Sequence, residues 1–391
     1  MYTKNKSLTV TLTVLFSFYS FILVSQEEVE SFDKEPPRKN LQFTQAKFEK
    51  NAHQLPLHTE GEYSHYIPKR LKEHADVQPL KDGFINVTKP PYNAKGDGIT
   101  DDTEAIQKAL DDSYLCRMIV YLPSGTYLVS DQLRCFRGWN DMWNYTAPGR
   151  NTSDYDFGRL SGYQIMGSSS GKRSVIKLKD HSRVKENLLL TFKQYGMSLK
   201  LMHCCLYSAL VRNIDFDMGN NPDVSAIYLP GAQFCTIEDV NIWGENFYAG
   251  IKSPPGCGGC TTNLKITGGT YGIVQTAFRP DPLVTGVTLI GQKKCAVLLK
   301  HCRGPFVLNG FKIVSEDKPA DDYKAIWINT DNTKYGNTSL ALEDGSIEVK
   351  GEKGSAIETD GPDVVMKNVY FKSSKILSDT SQTYLNPHCR F

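Results

Sequence analysis

Read for apolar and polar positions, the chain changes period several times. Leu8 to Val24, LTVTLTVLFSFYSFILV, is an uninterrupted uncharged run. Residues 26 to about 80 are charged, contain prolines and show little periodicity, which reads as a linker or extended arm. FINV, from Phe84, reads as a short strand. Ala105, Ile106, Ala109 and Leu110 then fall on one stripe at helical spacing. CRMIVYLPSGTYLVSDQL predicts two strands, RMIVYL and TYLVS, joined by the turn PSG.

From about residue 170 a repeat takes over. A small residue followed by a branched apolar one recurs at Ala226-Ile227, Gly250-Ile251, Gly272-Ile273, Ala296-Val297, Ala325-Ile326 and Ala356-Ile357, in steps of 24, 22, 24, 29 and 31 residues. A second signature runs between these pairs, a turn residue and then an alternating strand. It begins at Asn213, Asp239, Asn263, Gly286, Gly310 and Asn368, and its first four steps are 26, 24, 23 and 24. Asn, Asp and Gly tolerate the left-handed backbone that a sharp corner needs. One strand pattern, one corner type and a spacing in the twenties predict an all-β parallel solenoid, whose coils stack because none buries its inner face alone. A β-sandwich also has regular strands, but it does not require the same corner residue at the same phase in successive units.

NAKGDGITDDTEAIQKAL, Asn93 to Leu110, carries Asp97, Asp101, Asp102 and Glu104. Asp101 is expected as the N-cap of the helix, with Glu104 as its capping-box partner. A calcium site built from Asp97, Asp101 and Asp102 is the other reading of the same acids.

Lys4 and Lys6 ahead of the uncharged run, and SQEE after it, predict a secretory signal over residues 1–25, with a membrane anchor as the alternative. The expected organisation is then a polar arm over 26–80 and one β-helix domain over 81–391. Forty-five basic against 43 acidic residues leave no charge excess to draw nucleic acid or an anionic membrane. All ten cysteines lie beyond the signal. Secretion would let them pair, and Cys116 with Cys135 is a plausible disulfide. Cys257 and Cys260 in CGGC lack a clear second pair for zinc and read as packed or bridged turn residues.

The run INV…NAKGDGITDDTEAIQKAL followed by IVYLPSGTYLVS resembles the opening of the pectate lyase superfamily domain, including its rhamnogalacturonase/epimerase-like members. The resemblance covers residues 82 to 375. It implies a single-stranded right-handed parallel β-helix whose N-terminal end is sealed by a capping α-helix. It is specific for the fold and poor for the reaction, since members include lyases, hydrolases, epimerases and phage depolymerases. GCGGCTTNLKITGGTYGIVQ, Gly256 to Gln275, is similar to the glycine-rich coil of family 55 β-1,3-glucanases. In those enzymes a second tandem β-helix supplies the main catalytic acid, so the resemblance implies either a fragment whose further β-helix domain is a partner absent from this chain, or a one-helix relative with its site elsewhere. Other subfamily patterns fail. Asn329-Thr330-Asp331 and Asp321-Asp322 stand in the wrong order for polygalacturonases, no Gly-His-Gly occurs, and the Trp-x-Asp-His of calcium pectate lyases is missing.

Glycan hydrolysis needs two carboxyl groups about 5 to 9.5 Å apart. Elimination needs a base and a group that neutralises a uronate. Aligned on the corners, Asp215 and Asp217 face outward on one strand, Asn241 and Trp243 follow on the next coil, and Lys265 and Thr267 on the one after. A second outward row follows the small-apolar pairs: Tyr228, Lys252, Val274 with Gln275, Leu298, Trp327, Glu358. The loop GENFYAG adds Glu245, and RPDP adds Arg279. The candidate catalytic residues are therefore Glu245, Asp215 and Asp217, and the candidate substrate-binding residues are Tyr228, Trp243, Lys252, Gln275 and Arg279. No metal ligand is assigned. The expected function is a secreted glycoside hydrolase acting on a polysaccharide. A polysaccharide lyase using Lys252 or Arg279 is the alternative, and a noncatalytic glycan-binding β-helix is the reading from another class.

Overall fold

The protein divides into two units, Met1–Pro56 and Leu57–Phe391. The computed structural model describes residues 67–116, 118–137, 162–194, 206–277, 281–300, 302, 304–330, 338–360 and 363–379, all in the second unit. The signal segment and most of the expected arm lie outside these residues.

The arm was expected to run to about residue 80. Ile67, Leu71 and Leu80 are instead buried in the domain core. A bidentate ion pair fixes this stretch: Arg70 donates from Nε and Nη2 to Asp112 at 2.7 and 2.6 Å, and Tyr92 Oη donates to Asp112 Oδ2 at 2.7 Å. Asp112 sits on the helix Thr103–Cys116, whose Ile106, Ala109 and Leu110 close the N-terminal end of the core as their spacing predicted.

The acids at the start of this helix serve the backbone. Asp102 is buried and accepts hydrogen bonds from the N–H groups of Lys95 and Gly96 at 2.7 and 2.9 Å. Asp97 accepts from the N–H groups of Ile99 and Thr100. Asp101 accepts from Thr103 N–H at 3.0 Å and from the Thr103 and Ser130 hydroxyls. Glu104 does not close a capping box. It pairs with Lys108 one turn on, at 3.6 Å, and the helix starts at Thr103, which puts Glu104 at its second position and not the third that a capping box needs.

Beyond the helix the fold is a right-handed parallel β-helix. Every strand-to-strand pairing among the described strands is parallel, in a 14-stranded and a nine-stranded sheet, and parallel crossovers take the right-handed sense. A sandwich of antiparallel hairpins is excluded. Pro123-Ser124-Gly125 links strands that do not pair with each other: Ile119–Leu122 pairs with Phe84–Asn86 and Gln164–Gly167, and Gly125–Val129 with Asp97–Asp101 and Ser174–Leu178. It is a corner of the coil.

The strands Thr236–Trp243, Cys260–Thr267, Leu283–Ile290, Pro305–Val314, Ser339–Glu348 and Val364–Lys372 each bend at one left-handed residue. These are Asp239, Asn263, Gly286, Gly310, Asp344 and Asn368, with φ between 50 and 62°. Asn213 turns the preceding coil at φ 56°. The corners stack, and Asn263 donates to Asp239 as Asn368 does to Asp344 at 2.9 Å. Asp344 was the corner the repeat did not single out.

The small residue of each small-apolar pair faces the interior. A Cβ on Gly250 would lie 2.5 Å from Ile266 Cδ1, and one on Gly272 would lie 2.6 Å from the Ala296 carbonyl. Space inside the coil therefore selects Gly or Ala there. The seven described cysteines, Cys116 and Cys135 among them, are free thiols.

Candidate functional site

Two outward faces carry the residues drawn from the sequence, and they differ in chemistry. On the corner strands the predicted columns form: Asp217 pairs with Trp243, Trp243 with Thr267, and Asn241 with Lys265. Asp215 is nevertheless only 5 % exposed. Arg173 Nε donates to its Oδ2 at 2.8 Å, and the Asn241 N–H and Nδ2 donate to its Oδ1 at 3.0 and 2.8 Å. Arg173 also donates to the Asp239 carbonyl. Both carboxylate oxygens are thus spent on coupling one coil to the next. Asp217 accepts from the Gly219 N–H at 3.1 Å, and Trp243 is half-buried beside it.

Glu245 is exposed at the turn before the strand Asn246–Lys252. Lys252 lies at the far end of that strand, about 20 Å away along extended backbone. The strand therefore separates Glu245 from Tyr228 and Lys252. Gln275 is fully buried, in register with Leu299 and Ile328 of the core row, and its Nε2 donates to the Ala277 carbonyl at 2.7 Å. Arg279 lies outside the described residues.

The nine-stranded sheet assembles the second column in unbroken register. Thr191, Tyr228, Lys252, Val274, Leu298, Trp327 and Glu358 are successive neighbours on successive coils, each step about 4.8 Å. At one end Lys193 is ion-paired with Glu186 and stands 5.3 Å from the centre of the Phe136 ring. Gln132 Nε2 donates to Thr191 Oγ1 at 3.1 Å and to Glu186 Oε2 at 3.3 Å. Burial, reinforced by the charge of Lys193, lowers the proton affinity of Lys252.

The middle of the column is apolar. Ala249, Tyr271, Val274, Cys295 and Leu298 form a cluster separate from the main core, with Tyr248 and Trp327 packed on it. The rings of Tyr248 and Tyr271 are 5.1 Å apart, and burial followed by the Tyr248 phenol pushes Tyr271 up to about 12.

At the other end Trp327 and Glu358 are direct neighbours. Lys324 Nζ lies 4.7 Å from the Trp327 ring centre and 3.6 Å from Glu358 Oε1. Lys294 approaches the same ring at 5.9 Å. Two residues past Glu358, Asp360 Oδ2 accepts from the Thr330 N–H and hydroxyl at 2.7 and 2.8 Å. The sequence pattern held this end in view, since Glu358 directly follows Ala356-Ile357. What it lacked was Lys324 and Asp360, which join the site across an inserted loop and past a strand end. Among the described residues no cluster of three His, Cys, Asp or Glu is arranged to hold a metal, and no helix is long and apolar enough to cross a membrane.

The chain is similar to several known proteins. The chain is 26 % identical over 203 residues to a glucan 1,3-beta-glucosidase of Cochliobolus carbonum, covering 46 % of this chain and 22 % of that protein. It thus spans less than a quarter of that relative's length. Among solved structures it is similar to ORF18 of Geobacillus virus E2, at 15 % identity and a TM-score of 0.33, over 78 % of this chain and 61 % of that one. It is also similar to the A-module of the mannuronan C-5 epimerase AlgE6 of Azotobacter vinelandii, at 16 % identity and a TM-score of 0.31, over 76 % of this chain and 96 % of that one. The model of the rhamnogalacturonase A/epimerase, pectate lyase-like family matches residues 84–281. With half of its length matched and a parallel β-helix with a capping helix in place, the chain belongs to that family.

Proposed function

We propose that this protein is a secreted glycoside hydrolase that holds a polysaccharide along the outward face of the nine-stranded sheet. The observation that carries the reading is the column itself. A half-buried tryptophan, a carboxylate and a lysine meet at Trp327, Glu358 and Lys324, where the tryptophan packs over the buried apolar cluster of Val274, Leu298 and Tyr271. Sugar rings present apolar faces that stack on aromatics, and their hydroxyls take hydrogen bonds from charged groups at the rim. Similarity to a glucan 1,3-beta-glucosidase favours hydrolysis over a uniform glucan. Secretion rests on the uncharged run Leu8 to Val24. The test is release of reducing ends from soluble β-1,3-glucan, β-1,4-glucan, homogalacturonan and alginate by the purified full chain. The reading fails when none is cleaved.

Elimination is the second reading, and Lys252 favours it. This lysine is half-buried, its hold on its proton is weakened, and Tyr228 stands on the adjacent coil. A base of that kind could remove a proton beside a uronate carboxylate. The product would be unsaturated and would absorb in the ultraviolet, which a hydrolysis product does not.

A further inference from the structure

We propose a second glycan-binding surface, on the outward face of the 14-stranded sheet, with Trp243 as its platform and an uncharged polysaccharide chain as its ligand. It lies on a different face from the column of the nine-stranded sheet and does not depend on the reaction carried out there. An amphipathic strip, in register across four coils, carries the assignment. Trp243, Thr267, Ile290 and Val314 are successive neighbours. The residue before each is a core isoleucine or leucine, so the four side chains point outward. None is buried: Thr267 is exposed and the other three are half-buried. Outward apolar side chains in one line, bordered by polar ones, mark a surface that a ligand covers.

The border is a second row. Asn241, Lys265, Thr288 and Lys312 occupy the same four coils, two residues before the strip and about 6.6 Å from it in extended backbone. Lys265 is exposed, and among the described residues it makes no ion pair and no side-chain hydrogen bond. The indole of Trp243 is equally uncommitted. Its column neighbours, Asp217 and Thr267, are too short to cover it, and no aromatic ring or cation among the described residues lies against it. Trp327 on the other face differs, with Lys324 and Lys294 at 4.7 and 5.9 Å from its ring centre.

The chemistry of the strip selects its ligand. The rings of a glucan present apolar C–H faces that stack on an indole and rest on branched aliphatic side chains. The hydroxyls at their edges accept from an ammonium and exchange hydrogen bonds with a threonine. Coils repeat about every 4.8 Å, so an apolar and a polar row run side by side from coil to coil, as a polymer of one repeated sugar requires. The unpaired charges nearest the ring, Lys177 and Lys265 against Asp217 and Glu245, cancel. The surface therefore has no cationic excess with which to hold a uronate polymer.

The experiment follows the full chain by affinity electrophoresis through gels containing soluble β-1,3-glucan, soluble β-1,4-glucan or homogalacturonan. Retention is the readout, so the hydrolytic reading can fail while this surface stands, and the reverse. The wild type should be retarded by at least one of the two glucans and not by homogalacturonan. W243A should weaken that retention about tenfold, and K265A about threefold with its unfolding temperature unchanged. The same glucan should perturb tryptophan fluorescence in the wild type and in W327F but not in W243F, which a general loss of structure would not produce. If W243A does not fold, the fluorescence of W243F and the retention of K265A decide the matter. Retention by neither glucan overturns the proposal, as does retention that W243A and K265A leave within about twofold of the wild type. Retention on homogalacturonan that falls in W243A overturns the uncharged class of ligand.

Discussion

At the scale of single residues, burial decides which charged groups are structural. Asp112 is fully buried, whereas Arg70 is 41 % exposed and can rehydrate when its partner is removed. Asp112→Ala therefore leaves mainly the buried Tyr92 hydroxyl unsatisfied, together with a cavity. A loss of about 2 to 3 kcal/mol is expected, against about 1 for Tyr92→Phe, read from urea midpoints at constant slope. Lys252 adds a pH dependence whose sign is fixed. Its folded-state proton affinity lies below the ordinary 10.5, with burial first and Lys193 second as causes. Between that lowered value and 10.5 the unfolded chain binds more protons than the folded one, so stability rises with pH through the window. Below the window the sheltered ammonium costs stability. Lys252→Met should raise stability at neutral pH, and its advantage should shrink as pH climbs toward 10.5. Urea midpoints from pH 7 to 11 that show a constant difference would contradict this. Asp215 shows what the sequence conceals at this scale. Alternation correctly turned it outward, but Arg173, 42 residues earlier, covers it, and no local pattern announces a partner so far away.

At the scale of the element, the coil was legible because its corners and inner rows are locally encoded. A left-handed corner selects Asn, Asp or Gly whatever the neighbouring coils do. Asp344→Ala should cost about 1 to 2 kcal/mol from the backbone conformation alone, whereas Asp344→Gly gives up the ladder bond to Asn368 without that strain. The inner row is set by space. Gly250 has an ordinary backbone, so Gly250→Ala introduces only a clash with Ile266, and overpacking of this kind costs about 1 to 3 kcal/mol. Ile266→Ala is itself destabilising, yet the double variant should be more stable than the sum of the two losses. A double-mutant cycle with coupling below about 0.5 kcal/mol would mean that the two sides do not touch. The capping box was misread for an equally local reason. Asp101 and Asp102 both compete for the helix start, and the pattern of residue types does not say that Asp102 turns back to Lys95 and Gly96.

At the scale of the whole fold, stability should be graded along the stack, since each coil holds only to its neighbours. The N-terminal end of the core is sealed by Thr103–Cys116. The last described coil is different. Met366, Val369, Phe371 and Leu377 pack on the core but are only partly buried, and Val365 and Tyr370 are 65 and 68 % exposed. Strands Val364–Lys372 and Lys375–Asp379 therefore have a supporting coil on one side only among the described strands. Amide hydrogen exchange should be slowest in Tyr271–Gln275 and Cys295–Leu299 and fastest in Lys375–Asp379, with Ser355–Thr359 between them. This gradient bears on the candidate site, because Glu358 sits one coil from the soft end while Lys252 lies in the protected middle. Leu377→Ala should accordingly loosen Ser355–Thr359, while protection at Asn246–Lys252 stays unchanged. Uniform protection from coil to coil, or equal loosening at Lys252 and Glu358, would show that the stack opens as one cooperative unit, and the two ends of the column would then share a single stability.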